Sequence, residues 1–190
     1  MKELLRNTIK KIHPVGDEAL DAFLELWQEF EAKRKQIITE ADKTERYLYF
    51  VIEGSQKAYF LHDGKEYIVA FSYPYAFTCI PEAFLTQKPS KYYWECLNDS
   101  KFLRISSDSF FNFIKTNKEF ETLLLKKLLG TINGLVNRYH RLIALSMEER
   151  FLDLMNNSPQ LLTFIPQKEI ANYLKIDPTN FSKLINKVKI

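Results

Sequence analysis

The 190-residue sequence is poor in the residue types from which most enzymatic and metal sites are built. Only two cysteines occur, Cys79 and Cys96, and they have no CxxC spacing. That excludes a disulfide scaffold, a multi-cysteine zinc site and an iron–sulfur cluster, and it fits a reducing, cytoplasmic compartment. The three histidines, His13, His62 and His140, share no short motif, so no HxH ligand pair exists. GxSxG is absent, and five glycines leave little material for a phosphate-cradling loop. An enzyme is therefore not expected, and neither is a metal or cofactor. No apolar run approaches the roughly 18 residues needed to span a bilayer, so no membrane partner is expected. The opening MKELLRNTIKKIHPVG also lacks the apolar stretch of a secretory signal.

What the chain does have is apolar and aromatic material for a core: 46% of residues are hydrophobic, with 15 Phe and 10 Tyr. The formal charge is +3, and its placement is uneven. Residues 166–190 carry Lys168, Lys175, Lys183, Lys187 and Lys189 against Glu169 and Asp177, which accounts for the whole excess. A basic end on a neutral body points to a polyanion partner.

Along the chain, residues 2–36 read as helical, broken at Pro14-Val15-Gly16. Asp17 is placed to cap a helix running through Leu20, Phe23, Leu24, Trp27 and Phe30. From about Lys35 to Ile105 the pattern turns to short strands. RYLYFVIEG is aromatic and β-branched, KAYFLHDGKEYIVAF centres on an Asp63-Gly64 hairpin turn, and YYWECLNDSKFLRI turns at 98–100. An antiparallel roll or sandwich is expected. Asn117 then caps a helix over 118–145, in which Phe120, Leu124, Leu128, Leu135, Tyr139 and Leu142 recur by threes and fours, a seam for self-pairing. Gly130 and Gly134 within it suggest close approach of another backbone. Ser146 caps MEERFLDLMNN.

The last segment, PQKEIANYLKIDPTNFSKLINKVKI, carries the clearest chemistry. With Gln167 as the first position of a helix-turn-helix, Ile170, Ala171, Leu174, Ile176, Phe181 and Leu184 take the apolar places where two crossed helices bury each other. Ala171 supplies the small residue at their closest approach. Asp177 caps the second helix and Pro178 takes its first turn. Lys175 stands where glycine is usual, at some backbone cost. Thr179, Asn180, Ser182, Lys183, Asn186 and Lys187 remain for the outer face, short polar groups for base edges and lysines for phosphates. Gln167 and Pro178 join them as DNA-binding candidates.

The whole chain resembles the Crp/Fnr family of transcription regulators. LYFVIEGSQKAYF looks like that family's strand pair, SMEERFLDLM like its lead into the DNA-binding part, and the element order matches throughout. The fold class implied is α+β. It comprises an N-terminal antiparallel β-roll of the cyclic-nucleotide-binding type with flanking helices (1–116), a long dimerisation helix (117–145) and a small helix-turn-helix (146–190). The resemblance implies a homodimer on palindromic double-stranded DNA, with RNA polymerase as a further partner and a small-molecule effector possible in the roll. Pro178 and Thr179 replace an arginine–glutamate pair common in the family, so no operator carries over, and no wing strands are evident after the second helix.

Nucleotide-binding members of that family hold the ligand with a Gly-Glu pair, a short helix whose N–H groups face the phosphate, and an arginine. Aligned through Phe77, Cys79 and Ile80 take the Gly-Glu places here. Glu82 comes two residues late, and Ser90 replaces the arginine with Lys91 beside it. These six residues are the candidate effector pocket. Cyclic AMP bound in the usual way is not expected, because a lysine lacks the bidentate fork. The alternative to a DNA reader is a ligand-sensing adaptor that works through protein contacts.

Overall fold

The computed structural model describes residues 1–187. In chain order its elements are α1 (Lys2–Ile12), α2 (Asp17–Glu25), β1 (Gln28–Ala32), β2 (Ile37–Thr39), β3 (Tyr47–Glu53), β4 (Gln56–His62), β5 (Lys65–Ser72) and β6 (Phe77–Thr78). After these come α3 (Pro81–Thr86), β7 (Tyr93–Cys96), β8 (Ser100–Ser106), α4 (Ser107–Thr116), α5 (Lys118–Ala144), α6 (Met147–Asn157), α7 (Leu161–Phe164), α8 (Gln167–Leu174) and α9 (Pro178–Lys187). Two four-stranded antiparallel sheets, ordered β1-β8-β3-β6 and β2-β7-β4-β5, form the roll. No helix among the described residues is long and apolar enough to cross a membrane.

The hairpin forms where the Asp63-Gly64 pair places it. Both residues take positive φ, 50° and 71°, as the tight turn joining β4 to β5 requires. The N-terminal helices are shorter than their apolar spacing suggests. The helix from Asp17 stops at Glu25, and Phe30 lies on β1, paired with Phe102. Trp27 and Phe30 continue the helical spacing by coincidence, because a strand bordering a helix also needs an inward aromatic. Asp17 does not cap its helix either. Gly16 holds the N-cap place, its N–H donating to Glu119 Oε2 at 2.8 Å, while Asp17 pairs with Lys10 at 2.5 Å.

Three apolar centres result. The first joins the helical layer to the first sheet through Leu5, Ile9, Leu20, Phe23, Phe50, Leu103 and Phe120; the Phe23 and Phe120 rings lie 4.5 Å apart. Each such side chain contributes about 1.5–3 kcal/mol on burial. The second fills the roll with Tyr49, Val51, Ile80, Trp94, Cys96 and Phe102. A buried polar chain crosses this interior: Trp94 Nε1 donates to Ser72 Oγ, Ser72 Oγ to Gln56 Oε1, and Gln56 Nε2 to Ser100 Oγ. The third belongs to the terminal helices, where Ile170, Ala171, Leu174, Ile176, Phe181 and Leu184 are all buried with Phe151 and Leu161.

Glu45, 3% exposed, is enclosed at the base of the roll. Its carboxylate accepts from the Thr39 hydroxyl and from Tyr47 N, with the Ile80 and Arg46 amides also favouring its charge. Burial nevertheless outweighs these bonds and raises its pKa. An acid raised on folding stabilises the fold below its unfolded pKa and loses that contribution as pH rises through the folded value. The urea midpoint of the wild type should therefore fall relative to that of Glu45→Gln as pH climbs from about 4 towards neutrality. Parallel pH profiles for the two proteins would refute this.

Gly54, at φ 91°, passes beneath the turn before β8, and a Cβ there would sit 2.7 Å from Asp99 O and 2.8 Å from Ser100 Cα. Gly54→Ala should cost about 3 kcal/mol or more in chemical denaturation, from left-handed strain plus the clash.

Candidate nucleic-acid interface and sensor pocket

The terminal helices hold the spacing read from their apolar residues. Lys175 ends α8 in the left-handed region, φ 57° and ψ 44°, at the turn position where glycine is usual. Its Nζ lies 4.0 Å from the centroid of the Tyr67 ring, a cation–π contact that offsets part of the backbone cost. Asp177 Oδ1 accepts from the N–H groups of Thr179 at 2.9 Å and Asn180 at 3.3 Å, so the second helix starts on a side-chain cap with Pro178 in its first turn.

Beyond that cap, Thr179, Asn180, Ser182, Lys183, Asn186 and Lys187 are exposed, as are Pro178 and Gln167. Phe181 and Leu184 face the core between them, with Phe181 edge-on to Phe151 at 5.4 Å. The two lysines differ. Lys187 Nζ is 3.0 Å from Glu148 on α6, whereas Lys183 has no carboxylate partner among the described residues. Ser146 opens α6 with a reciprocal capping box to Glu149, which fixes where this group of helices leaves α5.

The long helix follows its expected span, but its apolar residues divide differently. Phe120 is buried in the core of the roll's helical layer, and Leu124, Leu128 and Leu142 are half-buried. Phe120 is thus unavailable to a partner helix. Leu135 and Tyr139 do face outward. They belong to a wider exposed set with Leu125, Leu129, Ile132, Val136 and Ile143; omitting Leu135, the set recurs at steps of four and three, each residue between 44% and 67% exposed. The exposed register is displaced from the expected one along the helix, Leu125, Leu129 and Ile143 taking the places expected of Leu124, Leu128 and Leu142, and only Tyr139 is common to both. Asn117 does not cap the helix through its side chain, which donates instead to Phe113 O at 2.9 Å. A Cβ at Gly130 or Gly134 would meet nothing within 4 Å, so no other backbone among the described residues approaches them.

The six candidate pocket residues do not converge. Phe77 packs on Phe50 and Trp27 in the helical-layer core. Cys79 is held between that core and Glu45, its thiol pushed well above its ordinary pKa by burial and then by the nearby carboxylate. Ile80 is buried in the roll and Glu82 is exposed at the start of α3. Ser90 is buried, and its hydroxyl is spent on Tyr92, donating to the carbonyl and accepting from the N–H; Lys91 points to solvent. Trp94 and Tyr49, 4.8 Å apart, fill the space these residues flank. Arg104, which the cassette pattern did not single out, lies between the Phe30 and Tyr47 rings at 4.3 and 4.4 Å; its buried Nε has no partner among the described residues.

Sequence reasoning also missed a set of polar residues where the terminal helices meet the roll. Lys57, whose side chain is 6% exposed, is surrounded by Glu66, Glu169 at 3.6 Å and Glu95 at 4.0 Å. These partners raise its pKa despite burial. Arg138 reaches from α5, and burial lowers its pKa. No local motif could reveal such contacts, because their members are far apart in sequence.

Residues 29–117 match the cyclic nucleotide-binding domain family. Among solved structures, the chain is similar to FixK2 from Bradyrhizobium japonicum (TM-score 0.70, 17% identity, covering 85% of this chain and 83% of that one). It is also similar to a CooA mutant from Carboxydothermus hydrogenoformans (TM-score 0.68, 17% identity, 87% and 78%). The Catabolite Activator Protein of Thermus thermophilus aligns over 95% of this chain and 85% of its own, with TM-score 0.59 and 16% identity. No curated protein matches at the level of sequence. Residues 29–117 thus form a cyclic nucleotide-binding-type roll, and the chain as a whole shares its fold with these structures.

Proposed function

We propose that this chain is a non-enzymatic, sequence-reading DNA-binding transcription regulator. It acts in the cytoplasm as a homodimer on two-fold-symmetric sites, with 1–116 as sensor, 117–145 as dimer helix and 146–190 as DNA-binding part, of which residues 188–190 lie outside the described structure. The observation that carries this reading is α9: a helix capped by Asp177, anchored by Phe181 and Leu184, and presenting an unbroken polar and basic face to solvent. Thr179, Asn180 and Ser182 stand in its first turns, where a recognition helix reads base edges, and Lys183 and Asn186 follow towards the phosphates.

Dimerisation is assigned to the exposed seam of α5. Leu125, Leu129, Ile132, Val136, Tyr139 and Ile143 follow a seven-residue repeat over nearly three heptads, with Leu129, Val136 and Ile143 at one position and Leu125, Ile132 and Tyr139 at the other. An apolar stripe of this length on one side of a water-facing helix needs a partner. RNA polymerase is the natural second protein contact for such a regulator. A cyclic nucleotide is a poor fit for the roll, because Ser90 replaces the phosphate-pairing arginine and Trp94 and Tyr49 occupy the interior.

Selection of bound fragments from random duplex DNA at near-physiological salt, without added ligand, should recover a two-fold motif. Failure with and without candidate nucleotides would favour a protein adaptor instead. On the selected site, Lys183→Ala should lower the slope of log affinity against log salt by about 0.9, the share of one phosphate contact. Lys187→Ala should change it less, because Glu148 already engages that ammonium. Ile132→Asp should give a monomer in sedimentation at micromolar concentration and lose most two-fold-site affinity. A dimer that persists would overturn the seam.

A further inference from the structure

Resting on the DNA-binding reading, we infer that Asn172 and Arg138 are positioning residues that fix the direction of the recognition helix by docking the terminal helices on the outer edge of β5. Strand β5 closes its sheet on one side, so its outward main-chain groups face no further strand. Asn172 on α8 takes that place. Its Oδ1 accepts from Ile68 N at 3.0 Å and its Nδ2 donates to Glu66 O at 2.9 Å, two bonds a neighbouring strand would otherwise make. Ile68 is also held from a second direction, because Arg138 Nη2 on α5 donates to Ile68 O and to Tyr173 O, both at 3.1 Å. One residue of the roll therefore ties the dimer helix to the first helix of the helix-turn-helix.

The surroundings make this junction a defined seat. The Arg138 guanidinium stacks over the Tyr173 ring at 4.2 Å, and that ring meets Phe71 of β5 at 5.2 Å. Ser55 Oγ donates to Phe164 O at 2.8 Å, while the Phe164 and Tyr73 rings stack within 2° of parallel. Asn172 and Glu169 are three residues apart on α8, so one face of that helix carries both the amide pair and a carboxylate of the Lys57 cluster. None of these contacts uses Thr179, Asn180, Ser182 or Lys183, all of which stay exposed. The docked arrangement leaves the reading face free and sets its direction with the chain's own side chains.

The consequence is specific to two-site binding. A dimer reading half-sites one helical turn apart needs both recognition helices at fixed spacing, and loose helices lose orientational freedom on binding. A single half-site makes no such demand.

The test measures Asn172→Ala and Asn172→Asp against wild type in two ways: amide hydrogen exchange at Ile68, and affinity for selected two-fold and single-half-site duplexes across a salt series. Asn172→Ala should exchange faster at Ile68 and lose about tenfold in two-fold-site affinity, the scale of two neutral hydrogen bonds. Half-site affinity and salt slope should stay unchanged. Asn172→Asp keeps the acceptor for Ile68 N and loses the donor to Glu66 O, so it should fall between. Unchanged Ile68 exchange in Asn172→Ala overturns the inference without reference to DNA. Faster exchange with an unchanged ratio of two-fold to half-site affinity also overturns it. Absence of wild-type binding to either duplex overturns the DNA reading itself, and is told apart because Ile68 exchange is measured without DNA.

Discussion

The arrangement of this molecule depends on one unmet need: the outer edge of β5 presents main-chain donors and acceptors with no strand to pair them. Unpaired buried backbone groups cost about as much as a lost hydrogen bond, and exposed edges invite association with other chains. Here the need is met by side chains from two different helices converging on Ile68 and its neighbours. That solution makes the edge of the roll the place where the helices after it are organised. The buried ammonium of Lys57 among three carboxylates adds direction to the same seam, because removing the lysine would take its charge away from the low-exposure carboxylates of Glu95 and Glu169.

Inside the roll the same logic runs the other way. Several of its buried polar groups are satisfied internally, through the chain from Trp94 to Ser100 and through Thr39 and Tyr47 on Glu45. The aromatic rings pack against one another across the space between the sheets. Burial also lifts the Cys96 thiol to about 11, so at neutral pH it is an inert, protonated side chain of this core. Specific packing of this kind favours a single rigid state of the roll, a sound footing for whatever is docked on its edge.

What could be read from the residues was what local chemistry dictates. The Asp63-Gly64 turn, the Ser146 cap with Glu149 three residues on, the Asp177-Pro178 start of α9 and the apolar spacing of the two terminal helices all depend on neighbours within a few positions. Two readings failed where tertiary context overrode periodicity. Phe30 prolonged a helical spacing into a strand, and Phe120 lent its register to a seam although α2 claims it for the core. Asn172 and Ile68 lie 104 positions apart, and nothing near either one in sequence marks it for the other. The candidate pocket was drawn by alignment to a pattern whose key residues this chain lacks, and its members are scattered between core and solvent.

The two glycines of α5 sit midway between the turn that Phe120 anchors and the stretch that Arg138 ties to β5, with open space at both Cβ positions. Glycine weakens a helix interior by about 1 kcal/mol relative to alanine, and here no packing among the described residues compensates. The long helix is therefore a shaft with a compliant middle. The bonds at Ile68 make a connection that does not run through these glycines. The roll and the terminal helices are thus joined twice, once along the helix and once sideways through the sheet edge.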